Sequence, residues 1–279
     1  MAVPSAHEFH WQSLARLPSG RVYHTLSEVG GQMYMLGGCD AAGRPCPTLE
    51  LYSPEVGCNL PPMPTPRAGA AVAVLGKQIL VVGGVGEDQS PLKVVEMYNT
   101  EEGRWKKRSA LREALMGVAV TVKDGRALAV GGMGADLLPR SVLQQYDLRK
   151  DVWAQLPPMP TPRYDATTHL LGNKIYVAGV WLKSEETVAM KTKRADFAAA
   201  FLRGRMIVAG GLGHEPSALD TVEAFHPQRK KWERLAPMSV PRCSASSIVI
   251  RDRLLVVGGV NQVPSSAHEI LYVKEEEYL

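Results

Sequence analysis

Arginine recurs at one position of a repeated pattern, and a guanidinium is well suited to bind a carboxylate through paired hydrogen bonds. Each arginine lies 16 residues before a glycine that ends a short apolar run. The five arginines are Arg21, Arg67, Arg163, Arg194 and Arg242, and Leu115 takes this position in a further copy. Two interpretations stay open. One is a hydrogen bond repeated inside each structural unit, and the other is a ring of cations that binds an acidic peptide.

Residues close to these arginines differ from copy to copy, which makes them better candidates for binding specificity than the repeated positions. They are Tyr23, His24, Tyr164, Asp165, Asp196 and Ser244. A second set lies in the polar segments after the glycines, and comprises Asp40, Arg44, Glu87, Asp88, Gln89, Asp136, Arg140, His214, Glu215, Asn261 and Gln262. The arginines and the first set are our predicted partner-binding residues.

The sequence offers little for catalysis or for binding a cofactor, a metal ion or a nucleic acid. Its seven histidines occupy different repeat positions, and its four cysteines match no zinc-binding spacing. The strings GGVG, GGMG and GGLG precede polar loops and strands rather than a helix, which argues against a phosphate site. Basic residues are dispersed, so nucleic-acid binding is not expected. An enzymatic site built from distant carboxylates stays open as an alternative, although we expect a non-enzyme.

Double glycines mark the repeat that must position the candidate residues. They are Gly37 and Gly38, Gly83 and Gly84, Gly131 and Gly132, Gly210 and Gly211, and Gly258 and Gly259. A sixth apolar run, KIYVAG, ends at Gly179 with Val180 in place of the second glycine. The first glycines follow one another at 46 or 48 residues, except for one interval of 31. We expect glycine here because neighbouring sheets approach too closely for a Cβ.

Two further markers keep the same register. Tryptophan stands ten residues before the arginine position, at Trp11, Trp105, Trp153 and Trp232. After the glycines, a glutamate stands two residues before an aromatic residue, at Glu50, Glu96 and Glu223. We predict that the tryptophans pack between neighbouring sheets, with aromatic ligand platforms as the alternative. The glutamates are expected to bond to backbone or to an arginine of a neighbouring sheet.

Each copy therefore predicts four strands, a to d: a after the arginine, b ending in the glycines, c at Glu-x-Tyr, and d at the tryptophan. These motifs resemble kelch repeats over nearly the whole chain, and the resemblance implies a β-propeller. It also implies that the turns between strands d and a, and the loops between b and c, shape a partner-binding surface. Longer strings, RVYHTL, PTPRAGAAV and LKVVEMYNTEEGRWKKRS among them, strengthen the resemblance.

We predict an all-β, kelch-type β-propeller that forms a single domain over residues 1–279. It has six four-stranded blades with an incomplete fourth blade, and the N-terminal strand closes the ring. The predicted blades span about 21–60, 67–108, 115–157, 163–188, 194–235, and 242–273 with the N-terminal strand 9–14.

The fourth copy departs from the pattern, since Trp181 follows directly after Val180 where the other copies have a long loop and strand c. This spacing indicates an internal deletion and predicts a disordered or poorly fitting segment over residues 180–193. Strand d of the first copy is also expected to be short.

Composition supports a folded chain with a sizeable core. The 279 residues are 45% hydrophobic with a net charge of +4. Neither a secretory signal nor an apolar run of membrane-spanning length is evident, so we expect a cytoplasmic monomer without membrane contact. The predicted function is a non-enzymatic scaffold that binds a protein or peptide, an acidic one in the sharper version. The alternative is a substrate-recruiting subunit of a ubiquitin ligase that acts through a separate adaptor.

Overall fold

The computed structural model describes residues 4–17, 20–52, 57–180, 189–215 and 217–274. The chain divides into two compact units. The central unit is Tyr23–Lys183, and the terminal unit combines Met1–Val22 with Ser184–Leu279. Apart from a 3-10 helix at Ala6–Glu8, every regular element within the described residues is a β-strand.

In chain order, the first strands are β1 (Phe9–Ser13), β2 (Thr25–Val29), β3 (Gln32–Leu36), β4 (Leu49–Leu51), β5 (Cys58–Leu60), β6 (Ala71–Leu75), β7 (Gln78–Val82), β8 (Val95–Asn99), β9 (Arg104–Arg108), β10 (Ala119–Lys123), β11 (Arg126–Val130) and β12 (Leu143–Asp147). The others are β13 (Val152–Leu156), β14 (Tyr164–Leu171), β15 (Lys174–Val180), β16 (Ala198–Leu202), β17 (Arg205–Ala209), β18 (Val222–His226), β19 (Lys231–Leu235), β20 (Ser246–Ile250), β21 (Arg253–Val257), β22 (Val260–Asn261), β23 (Val263–Pro264) and β24 (His268–Val273).

The central unit contains three four-stranded antiparallel sheets, which we call blades 1 to 3. Their strand orders are β2-β3-β4-β5, β6-β7-β8-β9 and β10-β11-β12-β13, so consecutive strands pair throughout. Blade 1 ends in the three-residue strand β5, as the spacing predicted. Within the described residues, the fourth copy forms a two-stranded sheet of β14 and β15, which we call the hairpin.

The terminal unit contains two four-stranded sheets. One is the meander β16-β17-β18-β19, called blade 5, and the other has the order β1-β24-β21-β20, called blade 6. In blade 6 the N-terminal strand pairs antiparallel with the last strand, from Phe9 opposite Val273 to Ser13 opposite Glu269. The predicted pairing of the two chain ends in one sheet is therefore confirmed.

The count of four-stranded blades was wrong: the described residues form five, not six. The hairpin has no strand c or d within the described residues. The predicted segment 180–193 falls partly outside them, because residues 181–188 are not described.

Local sequence explains the tight connections inside each blade. Strands a and b are rich in β-branched and small apolar residues, which favour a pleated, buried sheet. In blade 3 they join at Asp124 and Gly125, whose φ angles of 52° and 70° are both positive. Two such residues form the type of turn that matches the twist of a hairpin.

The double glycines end strand b by turning with positive φ, 62° at Gly83 and 97° at Gly84. A Cβ on Gly83 would lie 2.6 Å from the carbonyl oxygen of Leu115, and the amide of Gly84 donates to the same oxygen over 3.1 Å. The pair thus holds the end of strand b against the start of strand a in the next blade. In the fourth copy Val180 replaces the second glycine, and β15 continues through it.

Tryptophans on strand d link neighbouring sheets of the same unit. Their indole N–H groups donate to the carbonyls of Pro61 from Trp105, of Ser109 from Trp153, and of Ala236 from Trp11, over 2.8–2.9 Å. Within its own sheet, Trp153 packs on Tyr146 with ring centroids 5.0 Å apart. Both rings belong to the core that fills the space between blades 2 and 3. The tryptophans are therefore placed as packing residues rather than as an exposed aromatic row.

Candidate partner-binding surface

The d–a turns and b–c loops of the central unit lie at the same end of the strands and pair with each other. Ala68 in a turn forms a bridge with Val85 in the adjoining loop, which in turn bridges to Pro91. Met116, Met133 and Pro139 repeat this arrangement in blade 3. We call residues 38–47, 61–70, 84–93, 109–118 and 132–141, together with 23–24, the loop surface. It is continuous in each blade because the turn and the loop share backbone hydrogen bonds.

The repeated arginine of blade 2 is buried beneath the loop surface, and its guanidinium forms hydrogen bonds within its own blade. Arg67 is 1% exposed, and its Nη2 donates to Glu96 Oε2 over 2.6 Å. Its Nη1 donates to the carbonyls of Gly83 and Val94. Burial lowers the pKa of the Arg67 guanidinium, and the Glu96 carboxylate raises it in part. The ion pair ties the d–a turn to strands b and c of one blade.

The same bond recurs in the terminal unit. Arg194 Nη2 donates to Glu223 over 2.8 Å, and Arg242 Nη2 donates to Glu269 over 2.5 Å. Burial disfavours the charge on Glu223, but hydrogen bonds from Arg194 and from backbone amides outweigh it and hold the pKa of that carboxyl below its usual range. Internal hydrogen bonding, one of the two interpretations of the arginines, thus describes Arg67, Arg194 and Arg242. A ring of accessible cations does not, and each partner glutamate belongs to the same blade as its arginine.

Two copies lack this pair in different ways. Blade 3 has Leu115 and Gln144 at the two positions, so both charges are absent together. In the fourth copy Arg163 is present, but the strand that would carry its glutamate is not among the described residues. Arg163 is half-buried, and burial lowers the pKa of its guanidinium.

The second residue after each arginine position has a positive φ of 45–59°, in Tyr23, Gly69, Gly117, Asp165, Asp196 and Ser244. These residues bond through their backbones, Gly69 N–H to Tyr23, Asp165 N–H to Gly117 and Ser244 N–H to Asp196. A non-glycine residue in this region costs about 1 kcal/mol or more. Side chains kept at such a cost are typical of functional positions. Tyr23 is 45% exposed there.

The b–c loop of blade 3 carries two leucines that the sequence analysis missed. Leu137 and Leu138 are 67% and 59% exposed. Leu137 has a φ of 61°, at the position that Gly43 occupies in blade 1 and Gln89 in blade 2. The signal was present in the sequence, since the equivalent positions of blade 2 are the polar residues Gln89 and Ser90.

Arg140 holds the backbone of this leucine pair in place. It donates to the Leu138 carbonyl over 2.8 Å and forms ion pairs with Glu113 and Asp136 over 2.6 and 3.0 Å. These carboxylates hold the pKa of Arg140 above its usual range. Because Glu113 belongs to the d–a turn, the pairs join turn and loop, and the tip is pre-organised for binding.

The structure places the remaining predicted residues as follows. Arg21 and Tyr164 are half-buried and His24 is buried, while Ser244 Oγ lies 3.4 Å from Asp196 Oδ2 in the terminal unit. Among the loop candidates, Asp40 is half-buried, whereas Arg44, Glu87, Asp88, Gln89, Asp136, His214, Glu215, Asn261 and Gln262 are exposed. Within the described residues, no cluster of histidine, cysteine, aspartate and glutamate has metal-binding geometry. The same part of the chain holds no helix long and apolar enough to cross a membrane.

Comparison with known proteins identifies the repeat. The kelch motif matches residues 20–58, 66–111, 114–160 and 193–239, more than half of the chain. The chain therefore belongs to the kelch-repeat family. The matched ranges leave out the hairpin.

Curated relatives resemble one part of the chain. Kelch domain-containing protein 8B from Homo sapiens, Pongo abelii and Rattus norvegicus is 41% identical over 64 residues, 23% of this chain and 18% of the relative. The chain thus aligns with less than a fifth of the length of these relatives. The strings quoted above already resemble kelch domain-containing proteins 8A and 8B, and the comparison confirms that resemblance.

A solved structure shares the fold. The structure of YjhT superposes with a TM-score of 0.76 at 17% identity, over 92% of this chain and 96% of that one. The fold class is all-β, of the kelch β-propeller type, and the described residues form five four-stranded blades.

Proposed function

We propose that this chain is a protein-interaction module that binds a partner through the loop surface, with Leu137 and Leu138 as the main contact. The observation that carries the proposal is an exposed leucine pair in a left-handed turn that glycine would adopt at lower cost. Membership of the kelch family supports a binding role for these loops.

Apolar side chains clamped in an exposed position bind without a large ordering cost, because the loop is already fixed by Arg140. Burying a leucine side chain against a partner contributes roughly 1.5–3 kcal/mol. Tyr23 adds an exposed aromatic side chain of the kind enriched at binding hot spots. The proposal therefore assigns affinity to apolar contacts and specificity to the polar residues around them.

The charge of the loop surface does not favour the acidic peptide that the sequence analysis offered as the more specific partner. Apart from Arg67, whose charge is paired with Glu96, the loop surface of the central unit carries five acidic and four basic residues, so its net charge is close to zero. The acidic residues are Asp40, Glu87, Asp88, Glu113 and Asp136, and the basic residues are Arg44, Lys93, Arg112 and Arg140. We therefore propose a partner with an apolar contact surface and no requirement for acidic side chains. The ligase alternative gains no supporting observation, and the scaffold role, monomeric state and cytoplasmic location stay predictions.

The test compares three forms of the full chain as bait in quantitative capture from lysate. They are the wild type, the double variant Leu137→Asp/Leu138→Asp, and the control Val152→Asp, whose residue is 47% exposed on β13, outside the loop surface. All three should melt at similar temperatures, because none of these side chains is buried. Captured proteins are ranked by their ratio between baits, in low and in high salt.

We expect one set of proteins to be captured by the wild type and by Val152→Asp and to fall about tenfold or more with the double variant, as the loss of apolar contacts near 1.4 kcal/mol or above implies. The ratio should persist in high salt, since apolar contacts are not screened. Equal capture by all three baits would rule out the leucine pair as the main contact.

A further inference from the structure

One backbone edge of the hairpin has no paired strand among the described residues, whereas the complete blades pair the same edge. In blade 2, strand b (β7) pairs with β6 on one side and with β8 on the other. Its counterpart β15 pairs only with β14 among the described residues. From Ile175 to Ala178 the side chains of β15 are half-buried, whereas Ile79 to Val82 in β7 are fully buried. An unpaired edge of this kind is a template for the addition of a further strand.

A cationic residue, Arg163, immediately precedes the hairpin. The Arg163 N–H donates to the Arg140 carbonyl, and its own carbonyl accepts from Gly132. Arg67 is held in the same way, by Cys46 and Gly38. The two arginines thus start from equivalent backbone positions, yet only Arg67 has a carboxylate partner within the described part of the chain.

The register of blade 2 defines what would complete the hairpin. There Glu96 lies opposite Val81, and Tyr98 lies opposite Ile79. Counted back from the first glycine of each copy, Val81 corresponds to Val177, and Ile79 corresponds to Ile175. A strand added antiparallel to β15 would therefore bring a glutamate opposite Val177 and an aromatic residue opposite Ile175.

We propose that the free edge of β15 binds an extended segment of another protein with the pattern Glu-x-aromatic, whose carboxylate pairs with Arg163. Main-chain hydrogen bonds supply affinity and the ion pair supplies register and specificity, as in other cases of strand addition. This second surface is independent of the leucine pair on the loop surface. A failure of one proposal leaves the other intact.

Charge complementarity argues against a second copy of this chain as the occupant. Pairing of β15 with β15 would bring Lys174 and no acidic residue to the edge. Arg163 would then stay half-buried without a carboxylate. The chain's own Glu185 and Glu186 lie outside the described residues, and their competition for Arg163 is an outcome of the test.

The test uses a fluorescent peptide, KVVEMYNT, which is residues 93–100 of blade 2, and a control peptide, KVVQMYNT. Anisotropy titrations use the full chain, the variant Arg163→Gln and the matched control Arg126→Gln, which changes an exposed arginine of β11. Hydrogen exchange of the β15 amides is followed with and without saturating peptide. The control peptide on wild-type protein gives an answer even if Arg163→Gln does not fold.

We expect saturable binding of KVVEMYNT to the wild type and to Arg126→Gln, with slower exchange of the β15 amides. Either Arg163→Gln or the control peptide should weaken binding about tenfold or more, and their combination should add little, because both remove one ion pair. Binding that is indifferent to Arg163 would overturn the proposal. Failure of KVVEMYNT to bind the wild type would also overturn the proposal, whether or not the variant Glu185→Gln/Glu186→Gln then binds the peptide.

Discussion

Blade 2 and the hairpin begin with the same signals and end differently. Both have an arginine before strand a, a tight turn, and an apolar strand b that reaches a glycine. Blade 2 continues into β8 and β9, where Glu96 closes onto Arg67 and Trp105 reaches back to the preceding sheet. The hairpin stops after β15 within the described residues, and Arg163 lacks such a carboxylate.

The difference teaches that a kelch blade is closed by long-range bonds rather than by its first hairpin. Strands a and b are favoured by local turn chemistry and by β-branched residues. The third strand adds both the second side of the ladder and the charge that neutralises a buried guanidinium. A truncated copy therefore keeps its hairpin but leaves an edge and a cation to be satisfied.

The largest effect on stability is expected from breaking the Arg67–Glu96 ion pair, which has no counterpart among the described residues of the hairpin. Arg67→Leu leaves the Glu96 carboxylate buried without its cation and should lower the free energy of unfolding by roughly 3–5 kcal/mol. Urea denaturation measures this change. The double variant Arg67→Leu/Glu96→Gln copies the neutral pair of blade 3, Leu115 and Gln144, and should recover most of the loss. Equal losses in the single and double variants would show that the charge is not the cause.

A smaller effect is expected from the tryptophan that joins neighbouring sheets. Trp153→Phe removes the indole N–H that donates to Ser109 over 2.8 Å and keeps an aromatic ring beside Tyr146. We expect a loss of about 1–2 kcal/mol, from the hydrogen bond and from slightly poorer packing. Thermal and urea unfolding of the variant check this value. A variant as stable as the wild type would mean that the bond between blades adds nothing.

Much of this architecture could be predicted from residue spacing. The glycines, tryptophans and glutamates recur because several copies make the same contacts, although blade 3 has Gln144 in place of the glutamate. The pairing of β1 with β24 followed from the strand missing at one end and present at the other. The blade count failed because it included the truncated fourth copy as a blade, whereas within the described residues that copy forms only the two strands of the hairpin.

The site was harder to predict, for physical reasons. Arginines repeat at the same interval whether they are buried or exposed. The position of Glu96 beside Arg67 is what shows that Arg67 is a buried, ion-paired residue. Leu137 and Leu138 were missed because loop positions were judged by polarity, while exposure and backbone conformation single them out. The exposure and the backbone conformation of these leucines depend on contacts between distant residues, such as the ion pair of Arg140 with Glu113, which is 27 residues away in sequence.

Native-state hydrogen exchange of the full chain, read by mass spectrometry, tests the comparison most directly. It compares the amides of β15 with those of β7 under the same conditions. We predict that β7, paired on both sides, exchanges at least about tenfold more slowly than β15, since amides at an unpaired edge open without global unfolding. Equal protection of the two strands would contradict the account, because it would mean that the edge of β15 is already covered.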